Sequence, residues 1–523
     1  EYKKIKKEKL GLTKSLRDFP GLGFWEKELG LRDLSRIDFS GFLNKNERLI
    51  DLFHFPMRIT LKGRNIPGVA IQHHMAHAAS TFYNSKTDES IIFTHDGGFY
   101  ETGCLNGMIF YGVANKILPF FPHHLSIGRL YEQIGFQLGF DQLGAAGKLM
   151  GLAPYGKSVF FNREMIGNTY DLRRKGFNNP GLDWLQHCVK LAHSKGYDLT
   201  PLGNSNRVLE PISVDLAAST QKLFEETLIY AFKCFSDMCI NSKLNIDSLC
   251  YAGGTGLNCP ANSLLLKESL FSTIHIPPNT DDSGLSMGGA QYVYYQILEK
   301  TRLSISRKSY LSFPYLGLIN SDDDLNNAIK KFENQINVEE VDCIEKSAAK
   351  DLNENKIIAW FEGRSEIGPR ALGHRSLLMN PKYPENWERM NSLKQREKWR
   401  PFAPAVLEED VGLYFSGIPN ESPFMLFTAK VLVNYLPAIT HVDGSARVQT
   451  VTSETGGLYL VLKNLKEISG CSVVLNTSFN GPGEPIVEKP EEAITFLVST
   501  QLDALYLDGK RLTRKNQLNY QSY

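Results

Sequence analysis

The run Gln72-His73-His74-Met75-Ala76-His77 places two histidines, His73 and His77, four residues apart. On a helix that spacing puts both imidazoles on one face, where they can ligate one metal ion, and turns His74 elsewhere. The competing explanation is a helix start with buried, hydrogen-bonded histidines. Two isolated acids add weight to the metal. Asp96 follows the apolar run IIFTH and precedes Gly97 and Gly98, and Asp282 lies in PPNTDDSGLSMGG. Carboxylates at strand ends beside glycine are natural ligands for a metal or a metal-bound phosphate. A mixed imidazole and carboxylate set suits iron, manganese or zinc, and spacing does not choose among them.

Glycine-rich segments offer a second chemistry. In YAGGTGLNCPAN, Gly253 and Gly254 would let backbone approach a ligand closely, and Asn258 could bond a sugar or phosphate. The same residues also suit a tight strand–helix turn. GAAGKLMGLAPYG carries Lys148 but lacks the terminal Lys-Ser/Thr of a Walker A loop.

A third constellation is cationic. From Arg364 to Arg400 nine Lys or Arg face four acids, an excess of +5 in a chain whose net charge is +1. The cations alternate with glycine and proline in GRSEIGPRALGHRS, around Arg370. They recur in SLKQREKWRPFAP as Lys394, Arg396 and Arg400. A plain solvated face would not be expected to carry so many Gly, Pro and aromatic residues. A pocket for a small polyanion fits better, with guanidinium forks on phosphate oxygens. Arg447 in HVDGSARVQT, and Asn476, Thr477 and Ser478 in LNTSFNGPGEP, add one more cation and a hydroxyl-rich loop after a strand.

Strand–loop–helix units in series must carry these residues, which implies an α/β sheet with ligands at strand C-termini. The pattern predicts a strand over DESIIFTH, a helix from HMAHAAS, and a helix over SIGRLYEQIGFQLGF followed by a Gly-rich loop. A long helix is expected over VDLAASTQKLFEETLIYAFKCFSDMC. A linker is expected at 321–335, between domains 1–320 and 336–523. The 523 residues allow two to four domains, and 42% apolar with 22% charged residues describes a folded chain. No apolar run approaches the roughly 18 residues that span a bilayer. The eight cysteines form no C-x-x-C or dense framework, which favours reduced thiols and a cytoplasmic location.

Taken together, the motifs resemble the O-carbamoyltransferases of natural-product biosynthesis, such as those of nodulation-factor, cephamycin, novobiocin and tobramycin pathways. HHMAHAAS, HDGGF, AGGTGLNCPANS, DDSGLSMGGA, GRSEIGPRALGHRSLL, NSLKQREKWRPFAP and VVLNTSFNGPGEPIV carry the likeness. It implies an α/β chain with an actin-like, sugar-kinase-type N-terminal domain and an α+β YrdC-like C-terminal domain. The latter would form carbamoyl adenylate from carbamoyl phosphate and ATP with magnesium. The former would pass the carbamoyl group to a hydroxyl of a small molecule. By the same likeness His73, His77, Asp96 and Asp282 would hold iron or another divalent metal. Arg370, Lys394, Arg396, Arg400, Arg447, Asn476 and Ser478 would hold carbamoyl phosphate and the adenylate. Lys148, Gly253, Gly254 and Asn258 would face nucleotide. Catalysis would fall to Lys394, Arg400, Arg370 and His73. The family opens with strands bearing a His-Asp motif. This sequence begins with EYKKIKKEKL, about where that stretch ends, so an incomplete start is expected.

Three other readings compete. A tRNA threonylcarbamoyl-type transferase sits poorly with the near-neutral charge, which also weighs against nucleic acid as partner. A metal-dependent hydrolase leaves the basic loops unexplained. A non-catalytic binding protein leaves Lys394, Arg400 and Arg447 without purpose. No membrane partner is expected, and a homodimer is compatible with the chain.

Overall fold

The computed structural model describes residues 53–97, 106–123, 125–141, 144–166, 180–242, 244 and 246–515. The lysine-rich opening and the GFYETGC run with Cys104 lie outside the described residues. The chain forms two compact units, Glu1–Ser306 and Arg307–Tyr523. No helix among the described residues is long and apolar enough to cross a membrane.

In the first unit a hairpin of β1 (His54–Leu61) and β2 (Arg64–Ile71) turns at Lys62 and Gly63, both with positive φ. The Gln72 side chain then accepts from Met75 N at 2.9 Å and caps α1 (His73–Phe82). Strands β3 (Glu89–His95), β4 (Gly107–Val113) and β5 (Lys116–His123) follow, then α2 (Ile127–Gln137) and α3 (Ala145–Leu152). The 31-residue α4 (Pro211–Asn241) leads to β6 (Ser248–Ala252), α5 (Cys259–Glu268), β7 (Thr273–His275) and α6 (Leu285–Tyr292). The sheet order is β5-β4-β3-β6-β7, antiparallel on the β5 side and parallel from β3 to β7. Apart from Glu89, every residue of β3 and β6 is buried, as their apolar centres IIF and LCYA require in a sheet covered on both faces.

Two close approaches shape this unit. Parallel pairing brings the C-terminal ends of β3 and β6 side by side, with Thr94 opposite Ala252. Gly253 (φ +101°) follows, and a Cβ there would collide with the His95 carbonyl. Between α1 and α6, a Cβ on Gly288 would strike the Ala76 carbonyl, so only glycine permits that helix spacing.

The Gly-rich loop expected at GAAGKLMGLAPYG is instead largely helical. Gly144, at φ +107°, precedes α3, and Ala145, Leu149 and Leu152 form its buried stripe. Their i, i+4, i+7 spacing outweighs the helix penalty of the glycines.

In the second unit the strands are β8 (Ile336–Glu340), β9 (Ile358–Phe361), β10 (Arg375–Met379), β11 (Ala403–Leu407), β12 (Phe415–Ser416), β13 (Thr428–Val431), β14 (Ser445–Arg447), β15 (Gln449–Val451), β16 (Val473–Ser478), β17 (Ala504–Leu507) and β18 (Lys510–Arg514). Eight form one mixed sheet, β15-β11-β16-β10-β9-β17-β18-β8, and β12-β13-β14 form a small antiparallel one. The period of two splits the large sheet's side chains between two cores. Val473, Leu475, Leu377 and Met379 pack on one face with α7 (Asp322–Lys331), α9 (Glu385–Leu393) and α11 (Pro490–Ser499). Val474, Leu378 and Trp360 pack on the other with α8 (Ile344–Asn353) and α10 (Gly457–Ser469). Both units are mixed α/β, as expected.

The linker expected at 321–335 is not one. Ser321 and Asp324 form a capping box, acids fill the first turn of α7 and Lys330 and Lys331 its last. Leu325 and Ala328 join the core, and the boundary falls earlier, between Ser306 and Arg307. The polar composition that suggested a linker is the solvent face of an amphipathic helix.

Gly288→Leu should lower unfolding free energy by about 1–3 kcal/mol by prising α1 from α6. Gly147→Ala, in open space within α3, should raise it by about 0.5–1 kcal/mol. Urea titration of both variants checks the pair, and equal effects would remove the close-packing explanation.

Candidate functional site

The capped first turn of α1 presents His73, and His77 lies one turn further on, with ring centroids 4.7 Å apart. The β3–β6 pairing delivers Asp96, whose Oδ1 accepts from Gly254 N at 2.5 Å. The α1–α6 contact delivers Asp282, just ahead of α6. His73 Nε2 lies 2.7 Å from Asp96 Oδ2 and 3.6 Å from Asp282 Oδ1. His77 Nε2 lies 3.1 Å and 3.3 Å from the same two oxygens. One donor atom from each residue falls within 4.8 Å of all the others. His77 is fully buried, yet its Nε2 meets hydrogen-bond geometry with neither carboxylate. An orphaned imidazole nitrogen between two acids is what a ligand set looks like, so the four residues fit a divalent metal.

The electrostatics are correspondingly strong. Burial opposes charge on His77, but the Asp282 and Asp96 carboxylates outweigh it and raise the imidazole to about 9. Burial would raise Asp96, but His73 and His77 hold it well below the usual carboxylate range. His77 likewise lowers Asp282, against partial burial.

The residues expected to face nucleotide in this unit also have structural contacts of their own. Gly253 and Gly254 serve the approach of β6 to β3 and the seating of Asp96. Asn258 exchanges amide hydrogen bonds with Gln221 at 2.9 and 3.1 Å, and its Oδ1 also accepts from Ala261 N at the start of α5. Lys148 lies on α3 with its ammonium 5.5 Å from the Phe140 ring centroid.

The second unit gathers cations at the C-terminal end of β16. Lys394, 6% exposed, donates to Ser478 O at 2.6 Å, to Asn480 Oδ1 at 2.7 Å and to Asn480 O at 3.2 Å. The Ser478 hydroxyl donates to the same Asn480 Oδ1 at 2.7 Å. Arg396 donates through Nε to Asn391 Oδ1 at 2.6 Å and lies over the Phe402 ring. Arg400 lies 3.6 Å from the Glu397 carboxylate. Arg447, on β14, has a buried Nε without a hydrogen-bond partner. Burial, with Arg396 and Arg400 close by, pushes Lys394 well below its ordinary range, and Arg400 and Arg447 add to burial in lowering Arg396. These four cations therefore share one field.

Asn476 ties β15 and the 364–374 loop to β16: its Nδ2 donates to Gln449 Oε1 at 2.8 Å and to Ala371 O at 3.3 Å, while its Oδ1 is buried without a partner. Arg370 sits in the adjoining 364–374 loop with Nε buried. Other cations of the basic stretch are structural. Arg375 is fully buried, spent on the carbonyls of Glu362, Gly363 and His374. Lys382 holds Ser469 O, Arg389 holds Asn355 O, and Lys398 pairs with Glu388.

Sequence reasoning missed Asn391, Gln449, Asn480 and Glu366. Glu366 Oε1 accepts from Leu372, His374 and Arg375 N and shapes the 364–374 loop. All four stand within the quoted motifs but carry no spacing signal.

Known proteins match along the same stretches. The carbamoyltransferase N-terminus model matches residues 37–291 and the carbamoyltransferase C-terminus model residues 349–514. Nodulation protein NolO of Bradyrhizobium diazoefficiens is 34% identical over 466 residues, covering 87% of this chain and 80% of that protein. The 3'-hydroxymethylcephem-O-carbamoyltransferase of Amycolatopsis lactamdurans is 31% identical over 363 residues, covering 69% and 63%. Nodulation protein U of Bradyrhizobium diazoefficiens is 26% identical over 442 residues, covering 81% and 73%. The first match contains the imidazole–carboxylate cluster and the second the cation loops, and with both sites inside matched sequence this chain belongs to the carbamoyltransferase family of transferase enzymes.

Proposed function

We propose that this carbamoyltransferase makes carbamoyl adenylate in its second unit and passes the carbamoyl group to a hydroxyl of a small molecule in its first. The observation that carries the reading is the cation cluster of buried Lys394 with half-buried Arg396, Arg400 and Arg447. Carbamoyl phosphate and ATP are both polyanions, and their mutual repulsion is offset only by fixed positive charge kept from water. Mass balance sets the step. Water cleaves carbamoyl phosphate to carbamate and phosphate, and a carbamate oxygen displaces pyrophosphate from the α-phosphorus of ATP. The acceptor hydroxyl then attacks the carbamoyl carbon, AMP leaves, and the hydroxyl proton is released.

In that sequence Lys394, Arg400 and Arg447 bind phosphate oxygens, Arg370 adds a further guanidinium, and Ser478 and Asn476 orient the carbamoyl end. The motif resemblance, compatible with mixed α/β sheets in both units, supports an actin-like first unit and a YrdC-like second. In the first unit His73, His77, Asp96 and Asp282 would hold iron or another divalent metal, which would supply Lewis acidity. These side chains would fix its place and shield it on the His77 side. The acceptor is a hydroxylated small molecule, the class named for the cephem relative.

ATP–pyrophosphate exchange should require carbamoyl phosphate, and exchange without it, or none with it, would sink the adenylate. Lys394→Ala should abolish that exchange, whereas His73→Ala should leave it within about twofold and stop transfer. Metal analysis should find one ion, with affinity weakened at least about tenfold in Asp282→Ala. With His77 raised to about 9, the metal-free imidazole is protonated at pH 7 and the ion must displace that proton. Affinity should therefore climb with pH up to about 9. Calorimetry in two buffers of different ionisation enthalpy would detect the released proton, and its absence would refute His77 as a ligand.

A further inference from the structure

Cations that repel each other need a device that holds their loop, and the loop from Lys394 to Arg400 has one in its interior. Helix α9 ends in a reversal. Lys394 N donates to Met390 O at 3.1 Å, Gln395 N to Ser392 O at 3.0 Å, and Arg396 N to Asn391 O at 3.1 Å. The last two bonds are those of a Schellman closure, and Gln395 takes the left-handed position (φ +47°) usually given to glycine. The turn sends Lys394 toward Ser478 and Asn480 and folds Arg396 back over its own helix.

Asn391 completes the arrangement with its side chain. Oδ1 accepts from Arg396 Nε at 2.6 Å, and Nδ2 donates to Lys398 O at 3.2 Å and Arg400 O at 3.1 Å. The residue is fully buried, and every hydrogen bond of its side chain goes to the cation-bearing loop. Only a primary amide offers an acceptor and two donors from one short planar group. A carboxylate would lose the donors, and leucine, of similar size, would lose all three bonds.

We infer that Asn391 is the positioning residue that assembles the polyanion site of the second unit, fixing the Arg396 guanidinium directly and Arg400 through its main chain. The inference rests on the proposed reading of that unit as the site for phosphate-bearing substrates. Asn391 touches no substrate in this account; it acts through the two arginines.

The test is titration calorimetry of the full chain with inorganic pyrophosphate, a polyanion probe independent of carbamoyl chemistry. Asn391→Leu and Asn391→Ala should each weaken binding about tenfold, the scale of a lost hydrogen bond to a charged group. They should leave the metal content of the first unit unchanged. In an Arg396→Ala background the same substitutions should cost at least about threefold less, because one of the two arms is already gone. Unchanged pyrophosphate affinity, or an equal loss in both backgrounds, would overturn the inference. So would failure of both variants to fold, since Asn391 would then be a general packing residue. If the parent binds pyrophosphate and the coupling appears but carbamoyl-phosphate-dependent exchange does not, the proposed reaction falls while the role of Asn391 stands.

Discussion

Like charges held together away from water repel, and the second unit keeps its cations close by surrounding them with neutral oxygens. Lys394 donates to two main-chain carbonyls and an amide oxygen rather than to a carboxylate. Arg396 is met by the amide of Asn391 and the carbonyl of Pro401. Elsewhere in the same unit the buried charges are cancelled in the ordinary way. Asp351 takes Lys356 and Arg511, and Asp410 takes Lys466. Dipoles orient a cation without cancelling its field, whereas a carboxylate does both. Among the described residues Glu397 is the acid beside Arg400, and an arriving anion would restore the charge that burial disfavours on Lys394.

The first unit solves the opposite problem. Asp96 and Asp282 are two acids brought to one point, and the imidazoles of His73 and His77 stand between them. The cost of that convergence is borne by packing. Gly288 lets α6 lie against α1, and Gly253 lets the end of β6 lie against β3. The adjoining Gly254 amide then fixes one Asp96 oxygen, so the other is turned to the histidines. The placement of the imidazole–carboxylate quartet therefore depends on the close approaches at Gly253 and Gly288.

Those glycines show what sequence reading left open. Gly253 and Gly254 announced a close approach, but a sequence cannot say whether backbone approaches a phosphate or another strand. Asn258 is expected from sequence to contact a ligand because it is polar beside glycine, and the fold gives it a further role as a helix cap paired with Gln221. Three glycines around Lys148 suggested a loop, and an apolar stripe at helical spacing prevailed. Residues 321–335 looked like a linker because an amphipathic helix shows the solvent more polar residues than apolar ones.

The metal-type quartet was legible before any fold was known: the i, i+4 histidines are a local fact of helix geometry, Asp96 follows an apolar run beside glycine, and Asp282 lies in the loop that leads to Gly284. The surplus of cations between Arg364 and Arg400 was legible by counting. Residue type and short-range periodicity therefore determined which side chains could do chemistry and on which elements they stand. Only the tertiary structure decided which cations remain uncancelled, because Lys398 and Lys394 are alike in charge, yet Lys398 is brought against the Glu388 carboxylate and Lys394 against the neutral oxygens of Ser478 and Asn480. Only it could single out Asn391, whose partners are chosen by a chain reversal. Hydrogen-bond partners distant in sequence, and the effective charge they leave behind, are properties of packing, and no spacing rule along the chain encodes them.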